Sequence, residues 1–453
     1  MTSESNSDES VHPLAADPLR PGMEIGLTRA SSIKVRTHLG FADSPLAGPA
    51  PRFVTRVNAS LDNFCAELLL RACHVPGDDV APFEEHRLYD RNGALRIADN
   101  PALRGAALIG IGGLAEQREV LAVYDEHTAG GRRREGSTTK LVFDRHVVPN
   151  ASAAAMASVE PVITEINTTD SHGGASGDHL YSILKVVHAM RWPDGDRMGR
   201  LSMAWKRAVI GGTLSAVLVD TTRDETFDND ATLARLGDEW SRFLQRTREL
   251  RATGRLPAID EAVIARVQAV LARNEQASIG DRRSTLTFRR AAASIWKAWT
   301  PELAARLLSV YFEALLQAQQ TFDRVLHRPL HMTLARDGFV VISHRVAADE
   351  ILPHRALQVR MRREGMRGIV VVTNPSIKSM MAARGNGLST ETWTRFVQRL
   401  IAIEPRGTWY VPTADDGTIA AFMVNRTESF VGAPASRLRP GDFANLLSLA
   451  LGK

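Results

Sequence analysis

Short apolar runs that stop at acids recur through the first half of the chain. Residues 52–57 (Arg-Phe-Val-Thr-Arg-Val) lead to Asp62, and residues 120–123 (Val-Leu-Ala-Val) lead to Tyr124-Asp125-Glu126-His127. Residues 161–166 (Pro-Val-Ile-Thr-Glu-Ile) lead in the same way to Asp170. Runs of this length and composition predict strands at 53–57, 106–111 and 120–124, with a further strand ahead of Asp170. Between them, three- and four-residue apolar spacing predicts a helix over 62–72, opened by an acid. A second helix is expected from 137, where Ser137-Thr138-Thr139 precedes an apolar run as an N-cap signal. A loop at 171–179 and a helix at 180–190 follow. Strands alternating with helices predict βα units around a largely parallel sheet.

From about 196 to 328 the pattern turns helical, with apolar positions at helical spacing over 233–251, 260–274 and 301–324. The last block mixes strands (339–343, 368–373, 408–411, 419–424) with a helix at 391–403. The expected architecture is therefore α/β: a largely parallel sheet with flanking helices, a helical connector and a smaller C-terminal α+β domain. At 453 residues the chain exceeds one hydrophobic core. The expected division is a disordered or extended leader at 1–44, an α/β domain at 45–210, a connector at 211–329 and a C-terminal domain at 330–453.

Composition changes this picture little. The 44% hydrophobic and 24% charged fractions are those of a soluble globular protein. No apolar stretch approaches the roughly 18–20 residues that span a bilayer, so no membrane partner is expected. Cys65 and Cys73 lie eight apart in one expected helix, a spacing that fits neither a zinc knuckle nor a disulfide framework. A cytoplasmic location is the default on that ground. The polar first 21 residues lack the apolar core of a signal peptide. Only seven of the 56 basic residues behind the net charge of +5 are lysines. Arginine forks suit a phosphorylated or polyanionic ligand, but a GC-rich genome produces the same bias.

The acids carry the candidate chemistry. Loops at the carboxyl ends of parallel strands converge on one crevice, so Asp62, Asp125, Glu126, His127 and Asp170 can share a site. Carboxylates hold hard divalent cations, and an imidazole widens the choice to manganese, iron or zinc. The plainer reading is that each acid caps a helix or turn. Two neighbouring groups invite the same question. Asp170, His172, Asp178 and His179 are either a second ligand set or a solvated loop with Asp178 as a cap. Gly130-Gly131-Arg132-Arg133-Arg134 is either a phosphate clamp or a mobile basic loop.

The order of these motifs resembles the DHH phosphoesterase superfamily, in particular its metal-dependent exonuclease branch related to the melanocyte proliferating gene product. Thr55-Arg56-Val57-Asn58-Ala59-Ser60-Leu61-Asp62-Asn63 is similar to the family's first motif, Thr-His-x-Asn-Pro-Asp-x-Asp. Ile109-Gly110-Ile111-Gly112-Gly113 is similar to its Asp-x-Gly-Gly turn. Asp125-Glu126-His127 stands where the family has Asp-His-His, followed by a Ser-Thr-x-Lys-Leu-Val-like segment at 137–142, and Asp170 stands at the last metal motif. Phe422-Met423-Val424-Asn425-Arg426 and Ala435-Ser436-Arg437-Leu438 resemble the branch's terminal elements. The resemblance implies a DHH-like fold and a manganese or other divalent-metal site built from Asp62, Asp125, His127 and Asp170. Asp125 and His127 would serve catalysis, and Arg56 or Arg132, Arg133 and Arg134 would neutralise a phosphate.

The departures point the other way. Arg56 replaces a ligand histidine, Ser60 replaces an acid, Gly110 falls where an acid is expected, and Glu126 replaces a histidine. What remains can hold one ion, too few groups for the family's pair roughly 3.5–4 Å apart. Three expectations follow. One is a phosphoesterase-like hydrolase acting on a nucleotide, an oligonucleotide or another phosphate ester with a depleted site. Another is an inactive relative that binds a phosphate-containing small molecule or short nucleic acid. The last is a structural or interaction protein that keeps the fold, with no metal at all.

Overall fold

The computed structural model describes residues 23–41, 45–56, 59–75, 83–86, 103–111, 120–126, 136–172, 199–220, parts of 241–253, 264–269, 291–347, 350, 353–375, 379–405, 408–411, 418–425 and 434–452. The expectations for residues 1–22, Gly112-Gly113, His127, Arg132 to Arg134, Asp178, His179 and the 180–190 helix lie outside these residues.

The first half contains α1 (Met23–Leu39), β1 (Leu46–Pro49), β2 (Phe53–Arg56), α2 (Leu61–Cys73), β3 (His74–Val75), β4 (Phe83–His86), β5 (Ala107–Ile109), β6 (Ala122–Tyr124), α3 (Thr138–Val142), α4 (Ala153–His172) and α5 (Gly199–Leu218). Strands β4-β2-β5-β6 form one sheet in that order, and every pair is parallel. Strands β1 and β3 make a separate parallel pair. The chain leaves β2 for β4 on one side and returns to β5 on the other. The order of strands therefore reverses between β2 and β5, and a crevice is expected outside their carboxyl ends.

Three expectations about this half are corrected. The leader is not wholly disordered or extended: residues 23–39 form α1, whose Leu27, Val35 and Leu39 are buried in the main core. The domain boundary expected at 210/211 falls inside α5, and the expected connector shares that core through Leu307, Leu308, Tyr311 and Phe312. The expected strand at 161–166 is the middle of α4. Its β-branched residues imitate a strand, but Val159, Val162, Ile163 and Ile166 are buried while Glu160 and Thr164 are exposed. That spacing of three and four residues is one helix face. Pro161 lies inside the helix, where its missing N–H leaves one i→i−4 hydrogen bond unmade.

The second half opens with α6 (Pro301–His327), with Pro301 in the first helical turn where a missing N–H costs nothing. There follow β7 (His331–Leu334), β8 (Phe339–Arg345), α7 (Pro353–Arg363), β9 (Arg367–Asn374), β10 (Ser379–Arg384), α8 (Thr390–Ile403), β11 (Phe422–Asn425) and α9 (Pro440–Leu451). Their sheet runs β11-β10-β9-β8-β7, parallel only between β8 and β9, where α7 is the crossover. Alternate residues of β8 and β9 face opposite layers. Val341, Ile369 and Val371 meet α8 and α9, while Ile342, Val370 and Val372 meet α7 and the end of α6. Residues 408–411 contribute a single bridge, Tyr410 to Val424, rather than the strand expected there. No helix among the described residues is long and apolar enough to cross a membrane.

Candidate metal centre

The site is built on α2, whose thirteen residues are all buried. The sequence suggests Asp62 as its opening acid, but the cap is Ser60. Its hydroxyl accepts from the Asn63 backbone N–H at 3.2 Å, and the Asn63 side chain reaches back to the Ser60 N–H, a reciprocal capping box. Asp62 is thereby left to do something else. Its two carboxylate oxygens accept backbone N–H groups from a different helix, Thr138 at 3.0 Å and Thr139 at 2.8 Å, and the Thr139 hydroxyl donates to the Asp62 carbonyl at 2.7 Å. Those N–H groups are orphan donors of the first turn of α3. Ser137 caps the same turn, as its sequence predicts, by accepting from Lys140 N–H.

The other acids arrive from two more elements. Glu126 follows β6 and accepts a hydrogen bond from the Thr138 hydroxyl. Asp170 comes from α4, three residues beyond Asn167, whose side-chain oxygen accepts the Ser137 N–H at 2.7 Å. One bond thus fixes α4 against the mouth of α3 and carries Asp170 in on the same helical face. Ligand oxygens of Asp62, Glu126 and Asp170 all lie within 4.8 Å of one another. Asp62 and Glu126 are buried and Asp170 is half-buried.

The group takes Glu126 where the sequence resemblance favours Asp125. Alternation along β6 explains it. Ala122 and Tyr124 face the core shared with α2, Val123 faces the opposite layer, and the next residue on the α2 side is Glu126. Asp125 is buried as well but is not in the cluster. Arg56 ends β2 as expected; its side chain lies outside what is described. His172 ends α4, and its side chain is likewise outside.

Gly110 is informative in another way. The resemblance expects an acid here, yet Gly110 has φ +64° and a Cβ built on it would lie 2.1 Å from Asn63 Nδ2. Asn63 is held by the capping box and is 1% exposed, so it has little room to yield. Glycine is required by backbone conformation and by packing together. The acid is not simply missing; this packing has no place for it.

Electrostatics follow from the crowding. Burial, the charges of Asp170 and Glu126, and only partial relief from the Thr139 hydrogen bonds push the Asp62 carboxyl up to about 7. Burial, with the Asp62 charge behind it, pushes the neighbouring Cys65 thiol up to about 12, which makes it inert at neutral pH. Both cysteines are free and buried.

No family model, curated protein or solved structure matches this chain. Its chemistry must therefore be read from the site. Three carboxylates and no sulfur form a hard, all-oxygen donor set. That set fits one divalent cation of the magnesium, manganese or calcium kind. Among the described residues no further acid, histidine or cysteine joins the three.

Proposed function

We propose that the chain is a metal-dependent phosphoester hydrolase working with a single divalent cation. The observation that carries this reading is the convergence of Asp62, Glu126 and Asp170 beside the reversal point of a parallel sheet, where open α/β folds hold ligands. The three carboxylates would hold manganese or another divalent ion. Such an ion supplies Lewis acidity toward a phosphoryl oxygen and a nucleophilic water at neutral pH. The chain's own residues fix the donors: α3 grips both oxygens of Asp62, and the Thr138 hydroxyl orients Glu126. Asp125 and His127, next to Glu126 in sequence, are the residues for proton transfer in this reading. Arg56 and Arg132 to Arg134 are the groups that would neutralise the substrate's phosphate. Nucleotides and short oligonucleotides are the substrate class to test, in a soluble, cytoplasmic setting.

The experiment is turnover of such phosphate esters with added manganese by the intact chain, compared with Glu126→Gln. Activity that needs the metal and vanishes in the variant supports the reading; no metal-dependent turnover sinks it.

A second reading has its own observation. Asp62 spends both oxygens on α3, which is what a fold-holding clamp does. On this reading the chain is an inactive relative that binds a nucleotide or short nucleic acid, or a structural protein. Metal-independent binding of a nucleotide would favour the binder. Absence of both metal and nucleotide binding would leave the structural role.

A further inference from the structure

Two helices that meet at the acids, α2 and α3, are both capped by serine, and the caps are completed in different ways. In α2, Ser60 is the N-cap and Asn63 is the third helical residue. Asn63 Oδ1 accepts the Ser60 N–H at 3.2 Å, so the box closes within one turn. In α3, Ser137 is the N-cap and the third helical residue is Lys140. An ammonium has no acceptor to offer the Ser137 N–H, and Lys140 Nζ donates to Asp144. The acceptor comes instead from Asn167 on α4, 30 positions along, whose Oδ1 takes the Ser137 N–H at 2.7 Å.

The approach is built around this bond. Gly136 stands directly before Ser137 with φ +91°, and a Cβ on it would lie 2.4 Å from Asn167 Oδ1. Any other residue there would be strained in its own backbone and would push Asn167 off the N–H. The residues that follow Ser137 serve the other two acids. Thr138 and Thr139 N–H groups bond Asp62, and the Thr138 hydroxyl bonds Glu126. Asp170 is one turn beyond Asn167 on the same side of α4, in the last turn of the helix and past Pro161. Last turns fray, and a proline removes one of the backbone bonds that stiffen a helix, so α4 by itself fixes Asp170 loosely.

We propose that Asn167 is a positioning residue for the acidic site: by completing the α3 cap from α4, it sets Asp170 against the Asp62 and Glu126 that Thr138 and Thr139 hold. This role rests on the divalent-cation site proposed above. A capping box closed within α3 would stabilise that helix equally well and leave α4 untied. The long-range version joins the cap to the third carboxylate, so the three acids come together only when α4 is docked.

The test is the manganese affinity of the full chain, measured by titration calorimetry. Asn167→Ala should raise the dissociation constant about tenfold, the low end for groups that support a metal ligand from outside. In an Asp170→Asn background the same substitution should change it little, because a positioning residue acts through the group it places. Lys140→Gln offers the Ser137 N–H a local acceptor. Added to Asn167→Ala, it should leave the affinity weakened even where it recovers the denaturation midpoint. Three results would each overturn the proposal: an unchanged dissociation constant in Asn167→Ala, the same tenfold loss in the Asp170→Asn background, or an affinity restored by Lys140→Gln. The last would leave Asn167 as a cap and nothing more. If Asn167→Ala does not fold, Asn167→Ala/Lys140→Gln takes its place in both backgrounds. A wild-type chain that binds no manganese would overturn the metal reading and this role together, whereas a wild-type chain and a variant that bind equally would overturn this role alone.

Discussion

Two buried carboxylate sites, one at the edge of each sheet, make opposite use of the same chemistry. In the second sheet Glu350 is buried beyond the end of β8. It is met by His344 Nε2 at 2.7 Å, Arg328 Nη1 at 3.2 Å and the Ala347 N–H at 2.9 Å. One acid faces one fixed cation, one imidazole and a backbone donor, and the result ties the end of α6 to the loop after β8. In the first sheet three acids crowd within 4.8 Å, and the donors on Asp62 are backbone and carry no full charge. The first arrangement is complete as it stands. The second gains most from a cation. A buried acid becomes a candidate site when its neighbours are other acids, and a piece of architecture when its neighbours neutralise it.

The largest expected effect tests why the acidic site holds no more acids than it does. Gly110→Asp, which would introduce the acid that the sequence resemblance expects, should destabilise the chain by about 3 kcal/mol or more. It combines a left-handed backbone with a Cβ 2.1 Å from Asn63. Chemical denaturation reads this directly. A neutral or stabilising outcome would mean that the packing around Gly110 has room for a side chain after all.

Next in size is the response to divalent metal. Manganese at about 100 times its dissociation constant should stabilise the wild-type chain by about 2.7 kcal/mol, seen as a rise in melting temperature. Glu126→Gln should abolish that rise, whereas Glu350→Gln should leave it intact. An equal loss in both variants would erase the distinction between the two sites.

A somewhat smaller effect should come from the completed site. Glu350→Ala removes a buried carboxylate and strands the Ala347 N–H and the His344 ring, at a cost of about 2 kcal/mol. The figure is kept low because the Arg328 side chain is 54% exposed and water screens much of its share. Asp170→Ala should cost the metal-free chain less, since it also relieves repulsion on Asp62. Finding the reverse order would show that Asp170 is structural.

Much of this was legible in the sequence. Within the runs expected as strands, 53–56 and 122–124 form them, and Ser137 caps α3, because these are local patterns that neighbours reinforce. Asp62 and Asp170 were legible as acids with a shared destination. Two things were hidden. Val162, Ile163, Thr164 and Ile166 have strand composition, and only the burial of Val162, Ile163 and Ile166 in the core shared with α2 and α3 selects the helical period that also fits. The choice of Glu126 over Asp125 depends on which face of β6 meets α2, a tertiary fact that no motif encodes. The clash at Gly110 depends on Asn63, 47 positions away. A motif alignment sees a missing acid there, whereas the fold has no room for one.

The smallest effect is a difference between two pH profiles, and it sharpens the comparison most. In the metal-free chain the Asp62 carboxyl stands at about 7 against an ordinary 3.8. The folded chain therefore binds more protons than the unfolded one across that window. Its stability falls as pH rises from about 4 to about 7 and levels off above that, the reverse of a carboxylate held by a cation. Burial is the first cause of that shift; Glu126→Gln removes one of the two charges that add to it and should recover about 1 kcal/mol at the alkaline end, with little change near pH 4. The difference between the two proteins, followed by denaturation across this window, isolates the cluster from every other titrating group. Saturating manganese should flatten the wild-type slope in the same way, because a bound cation does for the three acids what Arg328 already does for Glu350. A variant and a wild type with parallel profiles would show that the acids do not feel one another, and the case for a cation between them would go with it.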